Sequence, residues 1–365
     1  MSLKVGIIGL PNVGKSTLFN ALLKKRVALS ANYPFATVEP NIGVVAVPDW
    51  RLEKLAELVK VEEKMDFLPP LVPAVVEFVD IAGLVKGASI GEGLGNQFLS
   101  HIREVDAIIH VLRDFEDENI VRAGSENPDA DRQTIETELG LADLQTLEKL
   151  IMGQEKQTKV SHDALEAQKL EILNKLKSEL DAGYVLGEYQ IGDERLRNWF
   201  VQLPLLSTKP ILYVYNIDEN KLSSDDTLVY HSDHELGICA KLEEELVELS
   251  EEESQEYLKS VGLEQTGLER LIKKAYELLG LISYLTAGKK EVKAWTIKAG
   301  MKAPQAAGVI HTDFEKKFIR AQVIDFDKLI EAGSHNTAKS KGWVRTEGKE
   351  YEVKDGDVIE FLIGS

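Results

Sequence analysis

The stretch G-L-P-N-V-G-K-S-T, residues Gly9–Thr17, decides the fold of this chain. It fits the phosphate-loop pattern G-x-x-x-x-G-K-[ST], with an apolar strand-like segment before it and a helix-forming run after it. Such a loop turns backbone N–H groups toward a polyphosphate, and the following helix adds the positive end of its dipole. We therefore expect a nucleoside triphosphate here, with Lys15 at its β- and γ-phosphates and the Ser16 hydroxyl on Mg²⁺. The loop residues predicted to bind the nucleotide are Asn12, Val13, Gly14, Lys15, Ser16 and Thr17.

The bulk composition predicts a globular, cytoplasmic protein. The chain has 365 residues, of which 44% are hydrophobic and 28% charged, and this length suffices for two or three domains. No apolar run approaches the ~20 residues of a membrane span, and the N-terminus shows no secretion signal. The single cysteine, Cys239, cannot form an intramolecular disulfide and is typical of a reducing compartment. We expect no membrane partner.

The charge is negative overall but unevenly spread. A net charge of −18 argues against broad attraction to nucleic acid, and DNA is not an expected partner. Within Leu281–Ser365, however, there are 14 Lys and Arg residues and 12 Asp and Glu residues, a net charge of +2. A mildly basic face is common on globular domains, so the imbalance alone decides nothing. Any contact with a polyanion is best sought near the C-terminus.

Two segments after the phosphate loop carry residues placed to sense a γ-phosphate. Thr37 lies in a proline-containing loop between the first predicted helix and the second predicted strand, where it is expected to ligate Mg²⁺. Asp80 and Gly83 form a D-x-x-G sequence at the end of a predicted buried strand. There Asp80 is expected to bind Mg²⁺ through water, and the Gly83 N–H to donate to the γ-phosphate. The next residue, Leu84, stands where many switch GTPases have a glutamine, and leucine cannot orient an attacking water.

The middle of the chain predicts a helical insertion in an α/β domain. From about Asp129 to Asp181 apolar residues recur at three and four positions, which predicts two long helices in a hairpin with a polar break at Gln154–Asp163. The β-type run Lys209–Asn216 then resumes the α/β pattern. The run Lys241–Glu256 contains eight glutamates and predicts a solvated helix face.

The remaining local expectations concern helix capping, a histidine and the C-terminal region. Asp49 is expected to cap a helix over Trp50–Lys60. His110 lies in an apolar strand and is predicted to be a core residue. The last ~85 residues are of a size for a small domain, in which short strands, among them Lys349–Val353, surround one helix, Phe326–Ala332.

These motifs together resemble the Obg-like ATPase family, called YchF in bacteria. The resemblance covers nearly the whole chain, through G-L-P-N-V-G-K-S-T, N-Y-P-F-A-T-V-E-P-N, D-I-A-G-L-V-K-G-A, G-E-G-L-G-N, N-I-D-E and A-P-Q-A-A-G-V-I-H-T-D-F-E-K-K-F-I-R-A. It implies an α/β fold: a P-loop NTPase domain of the OBG type, an inserted α-helical coiled-coil hairpin and a C-terminal ubiquitin-like β-grasp (TGS) domain. The expected bounds are 1–128 and 206–280 for the P-loop domain, 129–205 for the helical arm and 281–365 for TGS. The resemblance also implies binding to the ribosome, at the large subunit and including ribosomal RNA.

The choice of base depends on the sequence N-I-D-E, residues Asn216–Glu219. Guanine readers have N-K-x-D, whose aspartate accepts from guanine N1–H and the 2-amino group. Here the lysine is missing and the carboxylate, that of Glu219, is one methylene longer, which by itself disfavours GTP only mildly. Because the family binds ATP through an N-x-x-E element, the resemblance implies ATP over GTP, with adenine read by Asn216 and by backbone carbonyls near Ile217.

The sequence does not identify the residue that activates water. Relatives have a histidine in the region that D-E-N-I-V-R matches, whereas this chain has Arg122. Arginine stays protonated and is a poor base, but it can stabilise developing phosphate charge. We expect slow hydrolysis, raised by a partner or by K⁺ near Asn12. Two alternatives remain: a GTP-specific translation-related GTPase, and a ribosome- or RNA-binding factor that holds nucleotide with negligible hydrolysis.

Overall fold

The computed structural model describes residues 3–30, 41–81, 94–117, 127–161, 163–184, 186, 189, 191–222 and 232–364. The chain divides into two compact units. The first comprises Met1–Gly43 and Glu77–Leu271, and the second comprises Val44–Val76 and Ile272–Ser365.

Seven strands and nine α-helices precede residue 279 in the described part of the chain. They are β1 Lys4–Ile8, α1 Lys15–Ser30, β2 Ile42–Ala46, α2 Arg51–Glu62, β3 Leu71–Val72, β4 Val75–Asp80, α3 Leu94–Arg103, β5 Ala107–Asp114, α4 Pro128–Ser161, α5 Ala164–Asp181, α6 Glu194–Phe200, β6 Ile211–Ile217, β7 Glu235–Ile238, α7 Ala240–Leu246, α8 Glu251–Ser260 and α9 Gly267–Leu278. A short 3-10 turn, Glu219–Lys221, follows β6.

A six-stranded sheet with the order β2-β4-β1-β5-β6-β7 carries the phosphate loop. The strand β1 pairs in parallel with β4 and β5, and β5, β6 and β7 continue the parallel pairing. The central strand β5 is buried along almost its whole length, as expected for a parallel sheet with both faces covered. The carboxyl ends of parallel strands meet at one edge, so the loop after β1, Asp80 at the end of β4 and Ile217 at the end of β6 all lie there.

The insertion is a helical hairpin of α4 and α5, with 34 and 18 residues. The predicted break at Gln154–Asp163 is wrong, because α4 continues to Ser161 and only then does Asp163 cap α5 through the Leu165 N–H, at 2.9 Å. Gln154 is buried inside the hairpin and donates to the Glu166 backbone carbonyl at 3.1 Å. A polar residue satisfied in this way does not interrupt a helix. The hairpin core consists of Leu147, Leu173, Leu176, Leu180, Leu186 and Leu205.

A buried aspartate on α4 fixes the point where the chain leaves the hairpin. The Asp143 carboxylate accepts from the Leu206 N–H at 2.8 Å, from the Ser207 N–H at 2.8 Å and from the Ser207 hydroxyl at 2.6 Å. Burial raises the pKa of Asp143. The carboxylate therefore satisfies backbone donors that neither a helix nor a strand would pair.

The second unit contains a mixed six-stranded sheet of the β-grasp type. Its elements after α9 are β8 Leu281–Ala287, β9 Val292–Lys298, α10 Ala303–Ile310, α11 Thr312–Lys317, β10 Phe318–Asp325, α12 Phe326–Ala332, α13 His335–Ser340, β11 Arg345–Glu347 and β12 Asp357–Ile363. The strand order is β11-β10-β12-β8-β9-β3, with β8 parallel to β12 and antiparallel to β9. A core around Tyr284, Ile297, Phe318 and Ile359 lies under the sheet.

Two expectations for the C-terminal region are wrong. Four helices, not one, accompany its strands. The predicted strand Lys349–Val353 forms only an isolated bridge between Glu352 and Lys302. The segment is held by two backbone hydrogen bonds, Ala303 N–H to the Tyr351 carbonyl and Val353 N–H to the Met301 carbonyl, and by the Tyr351 hydroxyl, which donates to the Asp357 carboxylate at 2.7 Å. The strand β3, which the sequence did not indicate, pairs with β9 in the same unit.

Acidic residues near helix starts behave differently from expectation. Helix α2 begins at Arg51, and its N-cap residue is Trp50, whose side chain makes no cap. Asp49 accepts from the Arg51 N–H at 3.1 Å and from the Arg51 guanidinium at 2.8 Å. The glutamate-rich run forms two helices, α7 and α8, and Glu243 within it is buried. Glu243 accepts from the Gly267 N–H at 2.6 Å and so caps α9, which corrects the expectation of a solvated face at this position.

Among the helices that the structure describes, none combines the length and the apolar content needed to cross a membrane.

Candidate nucleotide-binding site

The phosphate loop adopts a backbone that restricts which residues fit. Asn12 has φ 65° and Gly14 has φ 92°, both in the left-handed region. A Cβ at Gly14 would lie 2.1 Å from Asn216 Nδ2, and one at Gly9 would lie 2.8 Å from the Val111 carbonyl oxygen. The two glycines of the motif are therefore required by close approach of neighbouring groups, and at Gly14 also by the backbone itself.

Asn216 ties the phosphate loop to the segment that starts α7. Its Nδ2 donates to the Val13 carbonyl at 3.0 Å, and its Oδ1 accepts from the Ala240 N–H at 3.0 Å. The side chain is buried. Both polar atoms are thus already hydrogen-bonded within the protein. This arrangement lets Asn216 hold the two sides of the site together. Its amide nitrogen carries a second hydrogen, so the expected reading of adenine by Asn216 stays a prediction.

Lys15 and Asp80 form an ion pair at the phosphate end of the site. Lys15 Nζ donates to Asp80 Oδ1, and the two side chains are 11% and 19% exposed. Lys15 opens α1 directly after Gly14, and Asp80 ends β4, the neighbour of β1 in the sheet. The sequence predicted both residues for this site, and the structure brings them into contact.

A cleft of about 1140 Å³ extends from the phosphate loop to the N-I-D-E turn. Asn12, Gly14, Lys15, Ser16, Thr17, Asp80, Asn216, Ile217 and Glu219 line it, whereas Val13 lies beneath, where it is buried. The sequence analysis missed further lining residues: Phe115, Glu116, Asp117, Asp218, Cys239, Ala240 and Lys241. Phe115 and its neighbours follow the end of β5, and their place could have been found from the rule that strand ends share one edge.

The far end of the cleft combines an aromatic ring with a held carboxylate. The Arg113 guanidinium lies 4.5 Å from the Phe115 ring centroid, which fixes that ring beside the cleft. The Glu219 carboxylate accepts a hydrogen bond from the Tyr257 hydroxyl of α8. This hydrogen bond raises the pKa of Tyr257. No sequence pattern marks this pair, because 38 positions separate its members.

Four residues named from the sequence lie outside the described part of the chain: Thr37, Gly83, Leu84 and Arg122. His110, by contrast, is described and lies in β5, 1% exposed. Burial lowers the pKa of His110 to about 3, and its Nε2 has no hydrogen-bond partner among the residues that the structure describes. The prediction of a core histidine is confirmed.

The donors at the phosphate end suit Mg²⁺. This ion takes one or two protein oxygens and completes its shell with water and substrate phosphates. The Ser16 hydroxyl and the Asp80 carboxylate both line the phosphate end of the cleft. Within the described ranges no group of three or more His, Cys, Asp or Glu side chains forms a self-sufficient metal site. The residues present therefore fit an ion that arrives with a phosphate ligand.

Comparison with known proteins places the chain in a family. A family model described as "50S ribosome-binding GTPase" matches residues 4–139, and a C-terminal model for YchF GTPases, described as a protein of unknown function, matches residues 281–364. A curated relative from Bacillus subtilis named "Ribosome-binding ATPase YchF" is 48% identical over 99% of both chains. The relative of the same name from Escherichia coli O157:H7 is 47% identical over 99% of both chains.

A solved structure agrees with these matches. The Schizosaccharomyces pombe YchF GTPase superposes with a TM-score of 0.84 at 37% identity, covering 99% of this chain and 98% of that one. Similarity of this extent includes the phosphate loop, the helical hairpin and the C-terminal β-grasp domain. The chain therefore belongs to the YchF family.

Proposed function

We propose that this chain is a Mg²⁺-dependent nucleoside triphosphatase that binds and slowly hydrolyses ATP in preference to GTP and that associates with the ribosome. The observation that carries the proposal is the continuous cleft from the phosphate loop to the N-I-D-E turn, with the Lys15–Asp80 pair at one end and Glu219 at the other. The names of the curated relatives, which are ribosome-binding ATPases, support the same activity.

At the phosphate end, each described side chain has a distinct task. Lys15 leaves Asp80 and contacts the β- and γ-phosphates, while Asn12, Gly14 and Thr17 supply backbone N–H groups to the polyphosphate. Ser16 and Asp80 hold Mg²⁺, which neutralises negative charge on the phosphates when bound. From the sequence we add Thr37 as a further Mg²⁺ ligand, Gly83 as a donor to the γ-phosphate and Arg122 as a stabiliser of developing charge.

At the base end, the altered reader favours adenine. The residue that would correspond to lysine in N-K-x-D is Ile217, whose side chain is buried. Glu219 replaces the shorter aspartate and is held by Tyr257. Guanine would thus lack its usual carboxylate partner for N1–H and the 2-amino group, whereas adenine has no donor at those positions.

A competitive titration tests the base preference. The protein is titrated with a fluorescent ATP analogue, which is then displaced by ATP or by GTP. We expect ATP to displace it at lower concentration. Tighter binding of GTP would support the alternative of a GTP-specific GTPase.

The rate of hydrolysis separates an ATPase from a factor that only holds nucleotide. We expect slow single-turnover hydrolysis, faster with ribosomes and faster in K⁺ than in Na⁺ if the cation binds near Asn12. Equal rates in the two salts would contradict a role for K⁺ in hydrolysis. Unchanged turnover of Arg122→Ala would contradict a role for Arg122. Absence of hydrolysis with and without ribosomes would support the binding-factor alternative.

We further propose that the helical arm, 129–205, and the TGS domain, 281–365, contact the large ribosomal subunit, including its RNA, in the cytoplasm. The P-loop domain, 1–128 and 206–280, would control that contact. Co-sedimentation with ribosomes in ATP, in ADP and without nucleotide is the test. We expect nucleotide-dependent recovery in the ribosomal pellet, and absence from the pellet in all three conditions would refute this partner.

A further inference from the structure

The Glu219 carboxylate is oriented by Tyr257, a residue that belongs to no sequence motif. Its carboxylate lies on the 3-10 turn after β6, and its Oε1 accepts from the Tyr257 hydroxyl on α8. The same glutamate lines the cleft at the end opposite the phosphate loop. Glu219 therefore both faces the cleft and is bound to a group outside it.

The Tyr257 ring is itself fixed by packing. It lies against the small core formed by Cys239, Leu242, Leu246, Leu258 and Leu263. Ser250 caps α8 with a capping box, in which its hydroxyl accepts from the Glu253 N–H and the Glu253 carboxylate accepts from the Ser250 N–H at 2.9 Å. The hydroxyl of Tyr257 is therefore presented by a well-anchored helix, so the direction in which Glu219 is held is set by α8.

The direction of this carboxylate matters for the base. A carboxylate that faces the edge of guanine accepts from both N1–H and the 2-amino group, which is the basis of guanine reading by N-K-x-D proteins. The same carboxylate facing adenine would oppose the lone pair of N1 and find no donor at C2. Holding one carboxylate oxygen with a protein hydroxyl occupies one of its acceptor sites, so guanine gains less from this carboxylate. The same hydrogen bond disperses part of the negative charge that the adenine N1 lone pair would oppose.

We propose that Tyr257 is a positioning residue that sets the base preference of the cleft by holding the Glu219 carboxylate toward α8. The inference rests on the proposed function only in that the cleft binds a purine nucleotide. The Tyr257 hydroxyl would thus account for part of the preference for ATP over GTP. Without this hydroxyl, the Glu219 carboxylate would be free to accept hydrogen bonds from guanine.

The test is the ratio of ATP and GTP affinities in Tyr257→Phe. Phenylalanine keeps the ring and its packing, so only the hydroxyl is lost. We expect the ratio of the Kd for GTP to the Kd for ATP to fall by about tenfold, which corresponds to one hydrogen bond to a charged acceptor. ITP retains N1–H but lacks the 2-amino group, so its affinity should rise less than that of GTP.

A double-mutant cycle shows whether the effect passes through Glu219. In a Glu219→Gln background, Tyr257→Phe should leave the ATP-to-GTP ratio unchanged. Tyr184→Phe is the matched control, because Tyr184 is 69% exposed and does not line the cleft. Thermal unfolding of each variant shows that the fold is retained.

The outcomes separate this inference from the proposed function. Two results would overturn the role of Tyr257 while leaving an ATP preference intact. In the first, Tyr257→Phe has the same ratio of the Kd for GTP to the Kd for ATP as the unmodified protein. In the second, Tyr257→Phe shifts this ratio equally in the Glu219→Gln background. A preference of the unmodified protein for GTP would contradict the proposed base choice. In that case a Glu219-dependent change of the ratio in Tyr257→Phe would still support the role of Tyr257.

Discussion

The Lys15–Asp80 ion pair predicts that the site resists nucleotide until the pair is broken. Lys15 Nζ donates to the Asp80 carboxylate in the structure, yet the same ammonium group is needed at the β-phosphate. Bound Mg²⁺ would give Asp80 another cationic partner, and Lys15 would then be free to contact phosphate. Without Mg²⁺, nucleotide must compete with Asp80 for Lys15. Asp80→Asn should therefore increase the affinity for ADP in the absence of Mg²⁺.

The magnitude follows from the burial of the pair. The two side chains are 11% and 19% exposed, so solvent screens their attraction only in part. A hydrogen bond to a charged group contributes about 1.5–3 kcal/mol, and ~1.4 kcal/mol corresponds to a factor of ten in affinity. An asparagine oxygen at this position would still accept a weaker hydrogen bond from Lys15. We therefore expect an effect at the lower end of this energy range, which corresponds to about tenfold tighter binding of ADP by Asp80→Asn in the absence of Mg²⁺.

The assay is titration of a fluorescent ADP analogue in excess EDTA, repeated with Mg²⁺. Asp80→Asn should bind more tightly than the unmodified protein in EDTA and should gain less from Mg²⁺. Asp106→Asn is the control, since Asp106 accepts from the Lys4 N–H at 2.8 Å and does not line the cleft. Equal or weaker binding of Asp80→Asn in EDTA would refute the competition between Asp80 and phosphate.

Three further substitutions test the site and the fold. Gly14→Ala should reduce ATP affinity at least tenfold in the same titration, because its Cβ would lie 2.1 Å from Asn216 Nδ2 at a left-handed φ; retained affinity would contradict this packing. Burial lowers the pKa of His110 from 6.5 to about 3, so the unfolded state alone gains a proton below pH ~6.5 and stability falls by about 1.4 kcal/mol per pH unit. His110→Leu should reduce this slope in urea unfolding at pH 5, 6 and 7, whereas an unchanged slope would show that other groups cause it. Asp143→Ala should lower the free energy of unfolding by about 3 kcal/mol, because the buried Leu206 and Ser207 N–H groups lose their acceptor; a loss within error of zero would show that water replaces it.

The sequence predicted the P-loop domain because its pattern is local. The strand β1, the glycine loop and α1 occupy consecutive residues, and the left-handed backbone at position 14 explains why the motif has glycine there. Helices α10, α11 and α13 were missed; they are six to eight residues long, and segments this short show little helical periodicity, although α12, of seven residues, was predicted. Pro304 near the start of α10 was a signal that could have been used, since proline favours the first helical turn.

The Lys15–Asp80 contact at the phosphate end was predictable from the sequence, whereas the hydrogen-bond partners of Asn216 and Glu219 were not. Lys15 and Asp80 belong to motifs whose spacing is tied to two adjacent parallel strands, so their contact follows from the fold. Ala240, one partner of Asn216, and Tyr257, the partner of Glu219, belong to α7 and α8, which follow β6 at distances set by loops. No periodicity relates a loop glutamate to a tyrosine on a later helix. Only the packing of α8 brings the two together.

The position of Asn216 connects these two ends physically. Its amide accepts from the Ala240 N–H, next to Cys239 on the base side of the cleft, and donates to the Val13 carbonyl inside the phosphate loop. A shift of α7 on binding a base would therefore change the direction of the Asn216 amide and, through it, the carbonyl of Val13. Because Gly14 has no Cβ, the amide lies directly against the loop and little slack remains between them. Under the proposed function, the fit of the base at one end of the cleft would thus affect the geometry of the phosphate loop at the other.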